Sequence, residues 1–330
     1  MKILILGGTR FVGPYVVREL ALRGHDVTVF HRGETEAALP SRVRHVHGDF
    51  TGFADYVDSL RALGAEVVLD MVPFREEDAG RVKAFKGVAR RVVVISSQDV
   101  YRAFGRIWRT EPGEPDPVPL TEDSPLREQL SRDGLSYNKT AVERAVMEDK
   151  DLRATILRLP ATHGPGDRQH RLFEYVKRMD DNRPAILLDE AYARWRWSRG
   201  YVEDMAHAIA LAVVNERAAG RIYNVAYEKT LSEAEWVREI ARITGWQGEV
   251  MALPDEQLPQ NLRSDAFDLS QQYVVDSGRI RRELGYSEVV PFDEALRRTI
   301  EWERENPPEK VNEDDFNYEA EDAVLSKLQA

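Results

Sequence analysis

The sequence contains no cysteine. Structural disulfides, thiolate metal sites and a cysteine nucleophile are therefore all excluded. Histidine is scarce as well, and His45 and His47 lie on a predicted strand with no cluster of carboxylates near them in the sequence. Because carboxylate, imidazole and thiolate groups are the usual metal ligands, we predict no metal site.

Long apolar runs are also absent, since no stretch of about 18 apolar residues occurs. The chain does not begin with the basic, apolar and small-residue succession of a signal peptide. We therefore predict a cytoplasmic protein with no membrane contact. The net charge of −11 would repel a phosphate backbone, because the basic residues are scattered, so we expect no nucleic-acid partner.

Short runs of valine, isoleucine and leucine alternate with segments of helical period. Near-continuous apolar strands joined by helices predict a parallel sheet that is covered on both faces, which is a Rossmann-type doubly wound α/β fold. Helices are predicted over 11–23, 54–63, 76–85 and 135–149. Strands are predicted over Ile3–Leu6, Val27–Phe30, Val43–Val46, Val67–Asp70, Val92–Ile95 and Thr155–Leu159.

The later part of the chain predicts a smaller substrate lobe of mixed α/β structure. We place a dinucleotide-binding domain at residues 1–160, this lobe at 161–306, interleaved with the first domain, and an acidic, flexible or partner-docking tail at 307–330. Prolines in 102–134 exclude regular helix or central strand there and predict a long loop, either a wall of the ligand crevice or a surface insertion. The alternating Trp and Arg residues of 194–199 predict a strand.

A glycine-rich turn follows the first predicted strand and opens a helix. Glycines there permit a tight turn and a close approach of the backbone to a pyrophosphate, which also faces the free N–H groups of the helix N-terminus. The pattern predicts bound NAD(P). The residues predicted to contact it are Gly7, Gly8, Thr9, Arg10, Phe11, Val12 and Gly13.

The end of the second strand carries His31 and Arg32, where an NAD-selective fold would present an acid to the ribose 2′-hydroxyl. An arginine there favours the 2′-phosphate of NADP, and Arg10 could converge on the same group. NAD is the alternative, in which both arginines only solvate the surface. Asp49, after the third strand, is placed to accept from the adenine amino group.

These features resemble the extended short-chain dehydrogenases/reductases, the NAD-dependent epimerase and dehydratase superfamily, over roughly residues 1 to 305. Further matches are Ser96–Tyr101, Arg158–Pro160 and Tyr201–Asp204. Arg10 takes the place of the family's middle glycine, and the turn resembles an atypical branch that includes chloroplast RNA-binding relatives. The resemblance implies these additional cofactor contacts: Asp70, Met71, Val72, Ser96, Lys139 and Pro160.

The resemblance also implies that Ser97 is a catalytic hydroxyl and that Lys139 binds the nicotinamide ribose and lowers the pKa of a tyrosine. In the family that tyrosine lies four residues before the lysine, one helical turn away, where this chain has Leu135. Tyr137 lies only two residues before Lys139. Asp99 stands where sugar dehydratases of the superfamily carry an acidic base, although a loop or capping carboxylate is an equal interpretation.

Two positions of Tyr137 are open. In one, Ser136 caps a helix that begins at Tyr137, so the ring need not follow helical spacing and can reach the nicotinamide. In the other, which we favour, the helix has begun by Ser131 and Tyr137 faces away from the site. The second position leaves only Ser97 and Asp99 to transfer protons.

These observations predict an NADP-dependent oxidoreductase, epimerase or dehydratase, with NAD possible, that acts on a hydroxyl or carbonyl of a polar, sugar-nucleotide-like substrate. The alternative is a dinucleotide-binding protein without turnover, in a regulatory or RNA-related role. Arg196, Arg199 and Arg263 are candidates for a substrate phosphate, or they belong to packing of the small lobe.

We also predict a homodimer, by analogy with relatives that pair the helix carrying Lys139 and the helix before it. An apolar stripe supports the dimer, unless it packs inward. The stripe consists of Ala141, Val142, Ala145 and Val146.

Overall fold

The computed structural model describes residues 1–35, 37–128 and 137–329. Within these residues the strands are β1 (Lys2–Leu6), β2 (Asp26–His31), β3 (Arg44–His47), β4 (Val67–Asp70), β5 (Arg91–Ser97), β6 (Thr155–Leu159), β7 (Ala161–His163), β8 (Ala185–Asp189), β9 (Arg199–Tyr201), β10 (Ile222–Asn224) and β11 (Glu249–Leu253). The helices are α1 (Val12–Leu22), α2 (Val57–Ala62), α3 (Ala79–Lys83), α4 (Arg102–Ile107), α5 (Lys139–Glu148), α6 (Phe173–Asp180), α7 (Glu190–Arg194), α8 (Val202–Val214), α9 (Glu233–Thr244), α10 (Gly278–Leu284), α11 (Phe292–Glu305) and α12 (Tyr318–Gln329). No helix in the described part of the chain has both the length and the apolar character needed to cross a membrane.

The described residues form a central sheet of seven parallel strands in the order β10-β6-β5-β4-β1-β2-β3. The chain runs outward from β1 to β3 and then returns to place β4 on the other side of β1. In such sheets the crevice outside the carboxyl ends of the two strands at this reversal binds ligands. The predicted doubly wound α/β fold is confirmed, and β1 and β4 position the site.

Apolar side chains cover both faces of this sheet. On one face α1 and α8 bury Val16, Leu20 and Ile209, and on the other α5 buries Val142 and Val146 against the strands. Burial of apolar surface on both faces explains why the strands are continuous runs of branched aliphatic residues. Helix α8 and strand β10 complete this core and sheet although they lie in the later half of the chain.

The smaller lobe packs α6, α9 and α11 around Trp236. The prediction of a strand over 194–199 is correct only in part, because Arg196 and Trp197 form isolated β-bridges with Ser232 and Tyr273 instead of a continuous strand. Residues 190–194 form α7, because the Asp189 carboxylate caps it by accepting the N–H of Tyr192 at 2.9 Å, and only Arg199 enters β9. The alternation of aromatic and basic residues therefore corresponds to backbone that pairs at single residues and not to one regular strand.

The proline-rich stretch contains helix α4 at its start, so the exclusion of helix from residue 102 onward is wrong there. The reason is that Pro112 is the first proline of the stretch, and α4 ends five residues before it. Asp116 accepts hydrogen bonds from Arg102 and Arg106 and holds the loop against α4. Residues 129–134 of the predicted loop lie outside the described residues.

The acidic C-terminal segment is not a flexible tail, and that prediction is wrong. Helix α12 docks on the small lobe, where Glu321 forms a fully buried ion pair with Arg178 at 2.9 Å. The guanidinium of Arg183 lies over the ring of Tyr318 at 4.4 Å. Two arginines that are remote in sequence thus anchor this helix through Glu321 and Tyr318.

Candidate active site

The glycine turn joins β1 to α1 at the carboxyl end of the sheet. Gly7 has a φ of +92°, in the left-handed region that favours glycine, and its N–H donates to Phe30 O at 2.9 Å. A Cβ on Gly13 would lie 2.5 Å from the Gly8 backbone, so only glycine allows the first turn of α1 to pack this closely. The free N–H groups at the start of α1 therefore face the crevice.

A cavity of about 620 Å³ opens above this turn. Its lining includes all seven predicted residues of the turn and also His31, Arg32, Asp49, Met71 and Val72. It also includes residues that sequence reasoning missed: Glu34, Thr35, Phe50, Thr51, Phe74, Arg81, Ile95 and Leu159. A glycine cradle, a helix N-terminus and an elongated cavity fit a dinucleotide with its pyrophosphate at the turn.

The other predicted cofactor residues lie outside this lining or only at its rim. Ser96 and Pro160 are buried outside this lining, and Lys139 lines a neighbouring cavity instead. The Asp49 carboxylate accepts the backbone N–H of Thr51 at 2.8 Å and the Thr51 hydroxyl at 2.9 Å. The backbone hydrogen bond is the main reason that the pKa of Asp49 is lowered. Asp49 therefore caps a turn at the rim of the cavity.

Arg10 and Arg32 both line the part of the cavity next to the end of β2. We call this part the adenosine end, because a dinucleotide with its pyrophosphate at the glycine turn would place its adenosine there. Each side chain is about half exposed, and both guanidinium groups approach the carboxylate of Glu34. His31 lies beneath them and is buried. The sequence therefore predicted the convergence of the two arginines but missed the acid between them.

Three imidazoles meet at the ends of β2 and β3, with ligand atoms of His31, His45 and His47 within 4.8 Å of one another. The N–H of Gly33 donates to His31 Nδ1 at 3.2 Å, which leaves the ring proton of a neutral His31 on Nε2. Nε2 lies 2.9 Å from His45 Nδ1 and donates to it. The three rings thus form one compact group, with a hydrogen bond between His31 and His45, at the ends of these two strands.

Asp70 ends β4 and is almost completely buried behind the cavity wall. Its Oδ2 lies 3.5 Å from Arg81, whose guanidinium also lies 4.6 Å above the ring of Phe50 in the cavity. Burial raises the pKa of Asp70 to about 6, and the charge of Arg81 opposes the rise. The missed Arg81 thus lies at the wall of the cofactor cavity, paired with Asp78 and next to Asp70.

Tyr137 points into the site, contrary to the position that we favoured from the sequence. Helix α5 begins only at Lys139, because the Asn138 side chain caps it by accepting the N–H of Ala141 at 3.1 Å. Tyr137 therefore precedes the helix, and helical spacing does not determine the direction of its side chain. Its hydroxyl donates to Asp99 Oδ2 at 2.6 Å, and the Ser97 hydroxyl accepts the backbone N–H of the same Asp99 at 3.4 Å. Leu135, Ser136 and the helix start proposed at Ser131 lie outside the described residues.

Lys139 is buried next to this pair. Its Nζ donates to Ile95 O at 3.0 Å and lies 5.1 Å from the centre of the Phe74 ring and 5.9 Å from that of Tyr137. Burial lowers the pKa of Lys139, and the charge of Asp99 opposes this. The amine thus lies close both to Phe74, which lines the cofactor cavity, and to Tyr137.

Burial and the Asp99 carboxylate raise the pKa of Tyr137 well above its usual value, so its hydroxyl keeps its proton at neutral pH. Burial also raises the pKa of Asp99, although the hydrogen bond from Tyr137 and the charge of Lys139 counteract it. A second cavity, of about 290 Å³, opens beside these residues and is also lined by Arg127 and Arg144. A proton donor and a basic carboxylate therefore face open space together.

The three predicted substrate arginines lie in different environments. Arg199 is enclosed, with its guanidinium 2.5 Å from Glu233 and 4.7 Å from the centre of the Trp236 ring. Its guanidinium therefore pairs with groups inside the small lobe, which agrees with the alternative interpretation that it belongs to the packing of this lobe. Arg196 is exposed, while Arg263 lines a cavity of about 200 Å³ together with Arg178.

The apolar stripe on α5 packs inward. Val142 and Val146 belong to the core beneath the sheet, Ala145 packs against it, and Ala141 is buried. The outer side of the helix instead carries exposed Arg144 and Glu148. The stripe therefore gives no support to a dimer.

Two curated relatives are similar to most of the chain. It is 28% identical to 2'-dehydrokanamycin reductase of Streptomyces kanamyceticus over 272 residues, which cover 81% of this chain and 73% of that protein. It is 26% identical to the chloroplast stem-loop binding protein of 41 kDa b of Arabidopsis thaliana over 259 residues, 74% of this chain and 64% of that one.

The fold is shared with a solved UDP-glucuronic acid 4-epimerase from Bacillus cereus in complex with NAD, with a TM-score of 0.67 and 19% identity over 92% of this chain and 99% of that one. The sequence profile of the NAD dependent epimerase/dehydratase family matches residues 3–226, which include the glycine turn, Ser97, Tyr137 and Lys139. The chain therefore belongs to the NAD-dependent epimerase/dehydratase family of enzymes, as its motifs predicted.

Proposed function

We propose that this enzyme uses NADPH to reduce a carbonyl group of a polar, sugar-like substrate. The observation that carries the proposal is the Tyr137 hydroxyl, which is held by Asp99 beside Lys139 in the cavity that neighbours the dinucleotide cavity. The similarity to a reductase of an aminoglycoside supports both the direction of reaction and the sugar-like substrate.

Tyr137 is the proton donor in this proposal. A phenol whose pKa is raised by burial and by a neighbouring carboxylate retains its proton until a carbonyl oxygen that is gaining charge accepts it. The Ser97 hydroxyl orients that oxygen by a second hydrogen bond, and the Lys139 ammonium holds the ribose next to the reacting carbon. The bound cofactor supplies the hydride.

The preference for NADPH rests on Arg10 and Arg32. Guanidinium groups form charge-assisted hydrogen bonds with a phosphate. Both arginines line the cavity next to the end of β2. NADH lacks the 2′-phosphate, so it gains nothing from these two charges.

Dehydration or epimerisation is the second candidate, and Asp99 favours it. A carboxylate whose pKa is raised by desolvation is a stronger base, and Asp99 faces the same cavity as Tyr137. After oxidation of a sugar hydroxyl to a ketone, such a base can remove the proton on the adjacent carbon. The similarity to dTDP-glucose 4,6-dehydratase of Streptomyces griseus, at 29% identity, agrees with this candidate.

The absorbance of the reduced nicotinamide tests the proposal against a panel of keto-sugars, aminoglycoside ketones and sugar nucleotides. We expect oxidation of NADPH with a keto-sugar, faster than oxidation of NADH. Release of water from a sugar nucleotide without net change in the nicotinamide would favour the second candidate. No change with any substrate would return the protein to a role in binding only.

Calorimetry tests the cofactor preference separately. We expect Arg32→Ala to weaken NADPH binding about tenfold, the loss of one charge-assisted contact of roughly 1.5 kcal/mol, and to leave NADH unaffected. Equal affinities of the wild type for the two cofactors would contradict the preference.

Three further sequence predictions stay open proposals. Arg263 and Arg196 remain candidates for a substrate phosphate, and Arg263 has the better position because it lines a cavity. The cytoplasmic location and the homodimer also stay predictions. Light scattering with a mass near the 37.7 kDa of one chain would reject the dimer.

A further inference from the structure

Two arginines and one acid form a compact group at the adenosine end of the cavity. Arg32 Nη2 lies 3.0 Å from Glu34 Oε2, and Arg10 Nη2 lies 3.6 Å from the same oxygen. Arg10 comes from the glycine turn, whereas Arg32 follows β2, and all three residues line the cavity. Two cations from separate segments therefore converge on one carboxylate oxygen.

The local backbone holds Glu34 in this place. Gly33 has a φ of +78°, which lets the chain reverse directly after Arg32. Beyond Glu34, the Thr35 hydroxyl lies 3.2 Å from the Thr9 hydroxyl and accepts a hydrogen bond from Arg10 Nε at 3.5 Å. The segment that carries the acid is thus tied to the glycine turn.

The group is open enough to exchange its anion. The side chains of Arg10 and Arg32 are each 44% exposed, and that of Glu34 is 56% exposed. Ion pairs this exposed shift an equilibrium by no more than about fivefold. A phosphate presents oxygens of the same kind with more negative charge, so it competes well for the same guanidinium groups.

We propose that Glu34 is an internal competitor of the cofactor's 2′-phosphate. Its carboxylate occupies the notch between Arg10 and Arg32 in the free protein and leaves when the phosphate enters. Glu34 therefore sets how strongly the enzyme distinguishes NADPH from NADH, and this inference rests on the cofactor preference proposed above.

The test compares two nucleotides that differ only in this phosphate, adenosine 2′,5′-bisphosphate and adenosine 5′-monophosphate, by calorimetry. Glu34→Gln removes the competing charge and keeps the side-chain shape. We expect it to tighten binding of the bisphosphate about fivefold and to leave the monophosphate unchanged. The gain should shrink at high salt, since the competition is electrostatic.

Glu77→Gln is the matched control. Glu77 lies 3.0 Å from Arg75, two residues before it, and these side chains are 67% and 49% exposed, outside the cofactor cavity. This substitution removes the same charge from a similar pair and should change neither affinity. An equal gain in both variants would reject the inference, because it would reflect net charge alone.

Other results separate the inference from the cofactor preference. If the wild type binds both nucleotides equally, the NADPH preference fails, and Glu34 loses its role with it. If the wild type prefers the bisphosphate but Glu34→Gln binds it equally or more weakly, only the competitor role fails. A weaker monophosphate complex of Glu34→Gln would show that Glu34 binds the ribose hydroxyl instead.

Discussion

Two tyrosine–aspartate hydrogen bonds of equal length lie in different regions of the molecule. Tyr137 donates to Asp99 at 2.6 Å beside the cofactor cavity, and Tyr318 of α12 donates to Asp181 at 2.6 Å on the small lobe. The carboxyl groups nevertheless respond in opposite ways. Burial raises the pKa of Asp99, whereas at Asp181 hydrogen bonds from Lys177 and Tyr318 outweigh burial and lower the pKa.

The surroundings explain the difference. Lys177 lies 2.7 Å from Asp181, and both side chains are about one-third exposed, so water and a cation stabilise the charge. Asp99 is partly buried in the cavity wall, and its cation Lys139 is hydrogen-bonded to Ile95 O and has its own pKa lowered by burial. The same hydrogen bond therefore becomes chemically useful only where a charge is poorly compensated next to a cavity.

The largest expected effect separates the two tyrosines. Because Tyr137 is the proposed proton donor, Tyr137→Phe should lower turnover about 10²–10⁴-fold. The same removal of a hydroxyl in Tyr318→Phe should leave turnover unchanged, with circular dichroism confirming that both variants fold. Comparable turnover in the two variants would remove Tyr137 from the mechanism.

The next effect concerns stability of the C-terminal region. Glu321→Ala leaves the buried Arg178 guanidinium without its partner, so the free energy of unfolding in urea should fall by about 3–5 kcal/mol. Glu319→Ala, on the exposed side of the same helix, should change it by less than about 0.5 kcal/mol. Equal losses would mean that α12 contributes no specific ion pair.

Sequence patterns predicted those features that depend on interactions between neighbouring residues. The β1 strand, the glycine turn and α1 were predicted because periodicity and glycine spacing act over neighbouring residues. The position of Tyr137 was not, because it depends on whether Asn138 or an earlier residue caps α5. The docking of α12 could not be predicted, since its partner Arg178 lies far away in the sequence.

The third effect is a pH dependence of stability that comes from Asp70, which is buried behind the wall of the cofactor cavity. Asp70 has a pKa of about 6 in the folded protein and near 3.9 when unfolded, so the folded state holds its proton more tightly. Its contribution to stability is full below about pH 4 and is lost as the pH rises through about 6, a change of about 3 kcal/mol by pH 7.

Urea unfolding at a series of pH values checks this dependence. In Asp70→Asn the loss should be absent, while the exposed control Asp55→Asn should keep it. An unchanged pH dependence in Asp70→Asn would mean that folding does not shift the pKa of Asp70.

The smallest effect belongs to the surface pair. Tyr318→Phe removes one hydrogen bond to a solvated carboxylate, so the free energy of unfolding should fall by only about 1 kcal/mol. Thermal unfolding of the wild type and this variant measures it. A loss as large as that of Glu321→Ala would place the stability of the C-terminal region in this hydrogen bond rather than in the buried ion pair.

The Asn138 cap has a consequence for recognising related enzymes. Since α5 starts after Tyr137, no helical period fixes the number of residues between the tyrosine and Lys139. A homologue whose tyrosine is offset from the usual position can therefore place its hydroxyl on the same aspartate. Genome surveys that require a four-residue offset would discard such proteins as inactive copies, and a search for an aspartate two residues after the strand-end serine would recover them.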